Sequence, residues 1–201
     1  MKTVVYTQRV EIVKSYGERR DCADQNMPYF IQRCGYLPVP MPNIWNVAKE
    51  ILMSIKPSGI ILTGGNSLVK YGGDAPERDD IEKKLLDFAL ENDIPLYGFC
   101  RGMQVIIDYF GFKLDEIEGH VAVRHKLLGE EEGLEVNSFH NQACCAVKEP
   151  LKVLAYTEDG VIEEVLYKKK RILGTMWHPE RENPYSNSDI QRVTKLFRPD
   201  N

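Results

Sequence analysis

The sequence predicts an α/β fold with a mostly parallel central sheet, helices on both faces and a small antiparallel C-terminal part. In the first half of the chain, short apolar runs, starting with TVVYT at 3–7, alternate with longer segments of helical periodicity. This alternation is typical of βαβ units, whose strands pair in parallel. After residue 120, strand-like runs separated by turn residues predict antiparallel strands, some of which extend the main sheet. The length of 201 residues fits a single domain over 1–201.

Two helices are predicted before the second apolar run. Residues 19–35 predict a helix with Asp21 as its N-cap and Gly35 as its stop. The prolines of the following YLPVPMP predict an extended segment. The second helix is predicted over 43–55 with Asn43 as its cap. Helical spacing predicts a buried face made of Ile44, Val47, Ile51 and Ile55.

The central and last elements follow the same logic. The continuous apolar run SGIILT at 58–63 predicts a buried strand. IPLYGF at 94–99 predicts another strand, and RGMQVIIDYFG predicts the helix after it. The last helix is predicted over 188–197, beginning at Ser188. Between those strands, residues 77–92 predict a helix whose apolar face carries Ile81, Leu85, Phe88 and Ala89.

Composition and charge exclude several classes of partner. The net charge of −4 does not favour a nucleic-acid partner. No apolar run reaches the roughly 18 residues of a membrane span, and the apolar run at the N-terminus is too short for a signal peptide. The odd count of five cysteines, without a signal peptide, favours reduced thiols, and the lack of paired CxxC spacing disfavours a cysteine zinc site. We therefore expect a cytoplasmic protein without a membrane partner, a metal or another cofactor.

One cysteine stands at a predicted turn from strand to helix. In GFCRG, Gly98 and Gly102 lie two residues before and after Cys100. This pattern is that of a nucleophile elbow, in which small residues on both sides avoid steric clashes. The helix N-terminus favours the reactive thiolate, and its N–H groups can stabilise an oxyanion. The alternative is a small apolar core residue, which is the commonest role of a free cysteine.

A cysteine nucleophile needs a base and a group that orients the base. Of the four histidines, His178 lies in MWHPE, just after an apolar run, and Glu180 is two residues further on. An imidazole and a carboxylate at this spacing can face the same way in an extended loop. Glu180 is then the candidate for holding the ring of His178 in one tautomer. A histidine in an exposed loop is the alternative.

Three motifs in this order resemble those of class I glutamine amidotransferases. They are GIILTGGNS, GFCRGMQ and MWHPE. Further stretches, among them YGERRDCADQN, the APERDD segment, IEGHVAVRHKL and VNSFHNQA, are similar to the stand-alone γ-glutamyl hydrolases of that superfamily, including the γ-glutamyl-GABA hydrolases. The resemblance spans nearly the whole chain, and it implies the flavodoxin-like fold of that family.

The resemblance also implies roles for single residues. Cys100 would be the nucleophile, His178 the general base and acid, and Glu180 the carboxylate that orients it. The backbone N–H groups of Gly65 and Arg101 would form the oxyanion hole. The residues implied to bind substrate are Gly64, Asn66, Gln104, Asn137, Ser138, Phe139 and His140. From the residues alone, VNSFHNQ reads as a polar turn.

The activity implied is hydrolysis of a γ-glutamyl conjugate through a γ-glutamyl thioester, without a partner synthase. One alternative is a glutaminase subunit that delivers ammonia to a synthase, and another is a binding protein of the same fold that does not catalyse. The conjugate is either the nucleotide amide γ-glutamyl-CDP-amidate, whose hydrolysis is a step of capsule biosynthesis, or the amide of an amine, such as γ-glutamyl-GABA. The oligomeric state stays open. Four arginines are candidates for binding the diphosphate of a nucleotide substrate: Arg9, Arg19, Arg20 and Arg33.

The sequence departs from the family pattern in three places. Met176 stands where glutamine is usual in the motif before the histidine, the loop after Gly65 is shorter, and FGFKLDEIEG replaces a more glycine-rich stretch. None of these changes removes a residue of the implied triad. They bear on the part of the pocket that receives the leaving group.

Overall fold

The computed structural model describes residues 1–198. Its strands are β1 (Thr3–Tyr6), β2 (Arg9–Val13), β3 (Glu18–Cys22), β4 (Leu37–Pro40), β5 (Gly59–Leu62), β6 (Leu96–Phe99), β7 (Asp115–Glu116), β8 (Val121–Lys126), β9 (Leu128–Gly129), β10 (Glu135–Phe139), β11 (Gln142–Ala143), β12 (Lys152–Tyr156), β13 (Ile162–Tyr167) and β14 (Ile172–Thr175). Its α-helices are α1 (Asn26–Arg33), α2 (Trp45–Ile55), α3 (Pro76–Glu91), α4 (Arg101–Tyr109) and α5 (Asn187–Phe197).

Eight strands form one mixed sheet in the order β4-β1-β5-β6-β14-β13-β12-β9. The pairs from β4 to β14 are parallel, and β13, β12 and β9 continue the sheet with antiparallel pairs. Every residue of β5, β6 and β14 is buried, as expected for central strands covered on both faces. This architecture confirms the predicted α/β fold and the antiparallel extension.

The segment predicted as the first helix begins with a strand instead. Residues 18–22 pair along their whole length with β2, so that β2 and β3 form a separate hairpin. The helix starts only at Asn26 and ends before Gly35, whose φ of +90° fits the predicted stop. The hairpin pairing supplies β3 with hydrogen bonds that the helical pattern did not reveal.

The two residues predicted as helix caps bind each other. The carboxylate of Asp21 accepts from the backbone N–H of Asn43 at 2.9 Å and from its side-chain Nδ2 at 2.7 Å. These bonds tie the β2–β3 hairpin to the segment before α2. Neither residue caps a helix, and α2 begins at Trp45.

The buried face of α2 is also displaced from the predicted one. Ile44 and Val47 are 59% and 45% exposed, whereas Ala48 and Leu52 are buried. The face predicted for α3 is correct for Ile81, Leu85 and Ala89, which are buried. Phe88 is half-buried and stacks edge-on against Trp45 of α2. None of the helices among residues 1–198 is both long and apolar enough to cross a membrane.

Candidate active site

Cys100 lies between the last residue of β6 and the first residue of α4, with φ +50° and ψ −110°. Such a conformation is unfavourable for a residue with a side chain, and it persists only where the surroundings impose it. The backbone N–H of Cys100 donates to the carbonyl of Thr175 on β14 at 2.8 Å, which fixes the turn from the neighbouring strand. The thiol thus sits beyond the carboxyl ends of the parallel strands, where α/β sheets bind ligands.

The glycines on both sides of Cys100 are required by close backbone packing. A Cβ on Gly98 would lie 2.6 Å from the carbonyl group of Gly102, and a Cβ on Gly102 would lie 2.1 Å from the carbonyl oxygen of Leu62 on β5. Neither contact is possible for a real side chain. The start of α4 therefore rests directly on β5 and β6, which is the packing that a nucleophile elbow needs.

His178 follows β14 and pairs with the carboxylate two residues further on. Its Nδ1 lies 2.8 Å from Oε1 of Glu180, and the side chains are only 3% and 4% exposed. Glu180 lies in a short 3₁₀ helix over Pro179–Arg181, which turns the carboxylate back toward the ring. His178 lines one cleft together with Cys100. The imidazole of His178 thus contacts the carboxylate of Glu180 and shares the cleft with the thiol of Cys100.

The pKa of His178 is raised from its ordinary value to about 9. Burial acts against the charged ring, but the negative charge of Cys100 and hydrogen bonds to Cys100 and Glu180 outweigh it. The imidazolium form of His178 is therefore favoured at neutral pH. A protonated ring beside the cysteine can supply the proton that a leaving group needs.

The ring of His178 is also fixed by packing. The rings of Phe99 and Phe139 contact it edge-on, with centroids at 5.5 and 5.8 Å. A Cβ on Gly64 would lie 2.7 Å from Cε1 of the imidazole, so the ring occupies the space that any side chain at that position would need. Asn137 holds the backbone of His178 by accepting from its N–H at 2.9 Å and donating to its carbonyl at 2.8 Å.

The cleft that contains Cys100 has a volume of about 200 Å³. Most of the residues implied to bind substrate lie in its wall. Asn66 lines it, although its side-chain amide pairs with the backbone of Val10 at 2.9 and 3.0 Å. The residues of the two implied groups that line it are Gly65, Asn66, Arg101, Gln104, Phe139 and His140, and Gly64 lines the adjoining cleft on the other side of His178.

Asn137 and Ser138 do not line this cleft, and their side chains bind other parts of the protein. Besides His178, Asn137 donates to Oε1 of Glu182 at 2.8 Å, and the hydroxyl of Ser138 donates to the carbonyl of His120 at 2.7 Å. The substrate-binding role that the resemblance implies for Asn137 and Ser138 stays a prediction. Their hydrogen bonds hold the segment that carries Phe139 and His140 against the sheet.

The sequence did not lead us to predict a group of buried charged residues beneath the cleft. Arg78 and Glu82 are fully buried on the apolar face of α3, and Arg101 is 1% exposed. The signal was present in the sequence, because both charged residues fall in the same helical stripe as Ile81 and Leu85. Charged residues inside an apolar stripe are seldom buried without partners, and they mark a site or a structural ion network.

Behind the cleft, His120, His140 and Glu163 bring possible ligand atoms within 4.8 Å of one another. The carboxylate of Glu163, 3.6 Å from Nδ1 of His120, raises the pKa of that ring, and Nε2 of His120 pairs with Asp159 at 2.8 Å. Burial acts to raise the pKa of Glu163, but the two nearby imidazoles outweigh it and the pKa is lowered. Glu163 thus lies between two imidazoles, and His120 lies between two carboxylates.

The sequence and the fold of the chain are both similar to those of known glutamine amidotransferases. Residues 20–191 match the family Glutamine amidotransferase class-I. The chain is 33% identical over 191 residues to the γ-glutamyl-CDP-amidate hydrolase of Campylobacter jejuni, with 92% of each chain covered. It is 31% identical over 191 residues to the γ-glutamyl-γ-aminobutyrate hydrolase of Escherichia coli O157:H7, with 75% of each covered. Its fold matches a glutamine amidotransferase from Thermotoga maritima with a TM-score of 0.68 at 15% identity, over 98% of this chain and 82% of that one. The chain belongs to the class I glutamine amidotransferase family.

Proposed function

We propose that this protein hydrolyses a γ-glutamyl amide, with Cys100 as nucleophile. The thiolate attacks the γ-carbonyl carbon, and the backbone N–H groups of Gly65 and Arg101 stabilise the oxyanion that forms. The C–N bond then breaks, and the imidazolium of His178 donates its proton to the departing nitrogen. The product of this half-reaction is a γ-glutamyl thioester on Cys100.

In the second half-reaction, water replaces the amine. His178, now neutral, removes a proton from the water as it attacks the thioester carbonyl, and the C–S bond breaks to release glutamate. The thiolate and the imidazolium are then restored. Glu180 orients the ring and stabilises the charge on His178 throughout. No metal or other cofactor takes part in these steps.

The observation that carries this proposal is the gathering of a strained cysteine and a buried histidine–carboxylate pair in one cleft. The 2.8 Å contact between His178 and Glu180 selects the ring orientation, and the positive φ of Cys100 presents the thiol to the same cleft. Each feature costs conformational or desolvation free energy, which a purely structural role would not need.

For the leaving group, γ-glutamyl-CDP-amidate is the substrate that we propose. The similarity to the enzyme named for that compound extends over 92% of both chains. The cleft on the other side of His178 is lined by the arginines Arg9 and Arg181, which suit a diphosphate. Of the four arginines nominated from the sequence, Arg9 alone lines that cleft, while Arg19 pairs with Glu77.

The second candidate is an amine conjugate such as γ-glutamyl-GABA, favoured by similarity to the E. coli hydrolase over 75% of the chain. Glutamate release from γ-glutamyl-CDP-amidate, γ-glutamyl-GABA and glutamine distinguishes the candidates. We expect kcat/KM to be highest for the nucleotide, and Cys100→Ala to abolish release from all three while the fold persists. Hydrolysis of the amine alone would contradict the nucleotide substrate. Glutamine turnover that rises only when a synthase is added would indicate an ammonia-delivering subunit.

A further inference from the structure

Arg78 lies directly beneath the glycine segment that follows β5. Its Nη2 donates to the carbonyls of Thr63 at 2.8 Å and Gly64 at 2.9 Å, and its Nη1 donates to the carbonyl of Gly65. One fully buried guanidinium thus binds three successive backbone carbonyls. The loop that receives these bonds borders the cleft of Cys100.

Binding these carbonyls fixes the direction of the neighbouring N–H groups. In a planar trans peptide, the C=O of one residue and the N–H of the next point in opposite directions. The carbonyl of Gly64 is held toward Arg78, so the N–H of Gly65 is directed away from Arg78, on the side of the cleft. Gly65 has φ +83°, a conformation that glycine adopts without strain.

A single carboxylate connects this arginine to the other side of the cleft. Oε1 of Glu82 accepts from Nε of Arg78 at 3.0 Å and from the hydroxyl of Thr7 at 2.8 Å. Oε2 of Glu82 pairs with Nη1 of Arg101, whose Nη2 donates to Asp79 at 2.5 Å. Glu82 therefore links Arg78, which binds the glycine segment, to Arg101, which follows Cys100 in the elbow.

We propose that Arg78 and Glu82 are positioning residues that hold the two halves of the oxyanion hole, the N–H groups of Gly65 and Arg101, in register. This inference rests on the proposed function, since it needs Cys100 to attack a carbonyl. Neither residue touches substrate. The donors must lie where charge develops, and a loop held in advance stabilises the transition state without reorganising during the reaction.

Burial of this network is costly, which argues against stability as its purpose. Burial lowers the pKa of Arg78 to about 9, which expresses the cost of holding its charge inside the protein. Buried ion networks are often no more stabilising than apolar residues of similar volume. Apolar side chains at this place could not hydrogen-bond the three carbonyls and so could not fix their orientation.

The test compares Arg78→Lys with the unchanged protein. Lysine keeps the charge but has no planar fork to reach three carbonyls. We expect kcat for the best conjugate of the panel to fall by about 10²- to 10³-fold, as for the loss of one oxyanion donor, with KM changed less than kcat. The rate at which iodoacetamide alkylates Cys100 should be unchanged, because alkylation forms no oxyanion. Arg192→Lys disturbs another buried ion cluster, formed with Glu164 and Asp189, and should retain activity.

The outcomes separate the two proposals. Unchanged kcat in Arg78→Lys would overturn the positioning role while the proposed function stands. If the unchanged protein releases glutamate from none of the conjugates, the proposed function fails and this inference fails with it. Glu82→Gln provides a second variant should Arg78→Lys not fold, and we expect the same loss of kcat with normal alkylation. Parallel loss of alkylation, thermal stability and turnover in every folded variant would assign the network a structural role and contradict the inference.

Discussion

His178 and Glu180 form a buried pair in which Nδ1 of the imidazole lies 2.8 Å from a carboxylate oxygen. The residues are two apart in sequence, and a 3₁₀ turn brings the carboxylate back to the ring. This contact leaves the other ring nitrogen for proton exchange, as a general acid and base requires. It also makes the charge state of His178 a measurable property.

We predict that His178 titrates near pH 9. Because its folded pKa of about 9 exceeds the ordinary 6.5, the ion pair contributes stability that is fully present below pH 6.5 and is lost as the pH rises through about 9. Imidazole ¹H–¹⁵N spectra over pH 5 to 10 measure this pKa, with His178→Gln for assignment. Cys100→Ala should lower it, since the thiolate charge raises it. A pKa at or below 6.5 in the unchanged protein would contradict the ion pair.

Gly64→Ala should displace the ring of His178. Its Cβ would lie 2.7 Å from Cε1 of the imidazole, so the ring must rotate away from its place beside Cys100. We expect kcat to fall by about 10²-fold, because a misplacement of about 1 Å has that effect, with a smaller change in thermal stability. Gly17→Ala is the comparison, since no atom lies within 4 Å of its added Cβ and its positive φ affects stability alone. Equal activity of the two variants would show that the ring is not held as described.

Asn137→Ala should act through the backbone of His178. The variant loses both bonds to that backbone and leaves a buried N–H and carbonyl unpaired, so unfolding should require about 1–3 kcal/mol less. We expect kcat to fall while KM changes little, because the side chain does not line the cleft. Urea denaturation and steady-state kinetics measure the two effects. A large rise in KM with unchanged stability would instead support the substrate-binding role implied by the resemblance.

Arg181→Ala should discriminate between the candidate substrates. Arg181 lines the cleft beside His178, and its guanidinium lies 4.6 Å from the ring centroid of Phe139. Loss of a bond to a charged phosphate should raise KM for γ-glutamyl-CDP-amidate by about 10- to 100-fold and leave γ-glutamyl-GABA nearly unaffected. Arg33→Ala, on the exposed end of α1, is the control. An equal change in KM for both conjugates would indicate that the nucleotide binds outside this cleft.

How much the sequence could predict depended on whether a feature was local. The continuous apolar runs of β5 and β6 and the stripe of α3 were read correctly, because burial on both faces or on one face leaves a direct pattern. The two glycines around Cys100 also indicated a nucleophile elbow from the sequence alone. The helix caps predicted at Asp21 and Asn43 were wrong, although both residue types are typical caps. The two side chains hydrogen-bond each other across 22 positions instead.

The site divides in the same way. Cys100, His178 and Glu180 were nominated by the family resemblance. The structure places Cys100 and His178 in one cleft and Glu180 2.8 Å from the histidine ring. Arg78 and Glu82 were not nominated, since their partners are backbone carbonyls and an arginine on other elements, which no spacing in α3 reveals. Asn137 and Ser138 were assigned to substrate binding by the resemblance alone. Their side chains hydrogen-bond the backbones of His178 and His120, a partnership that no local pattern in the sequence reveals.

Cys100 is proposed to carry the γ-glutamyl group as a thioester. Rapid acid quenching during turnover of γ-glutamyl-CDP-amidate, followed by peptide mass spectrometry, would detect this intermediate. We expect one γ-glutamyl adduct on the peptide that contains Cys100, absent when the variant Cys100→Ala is treated in the same way. Turnover that persists in Cys100→Ala, or an adduct carried by another residue such as Cys144, would contradict it.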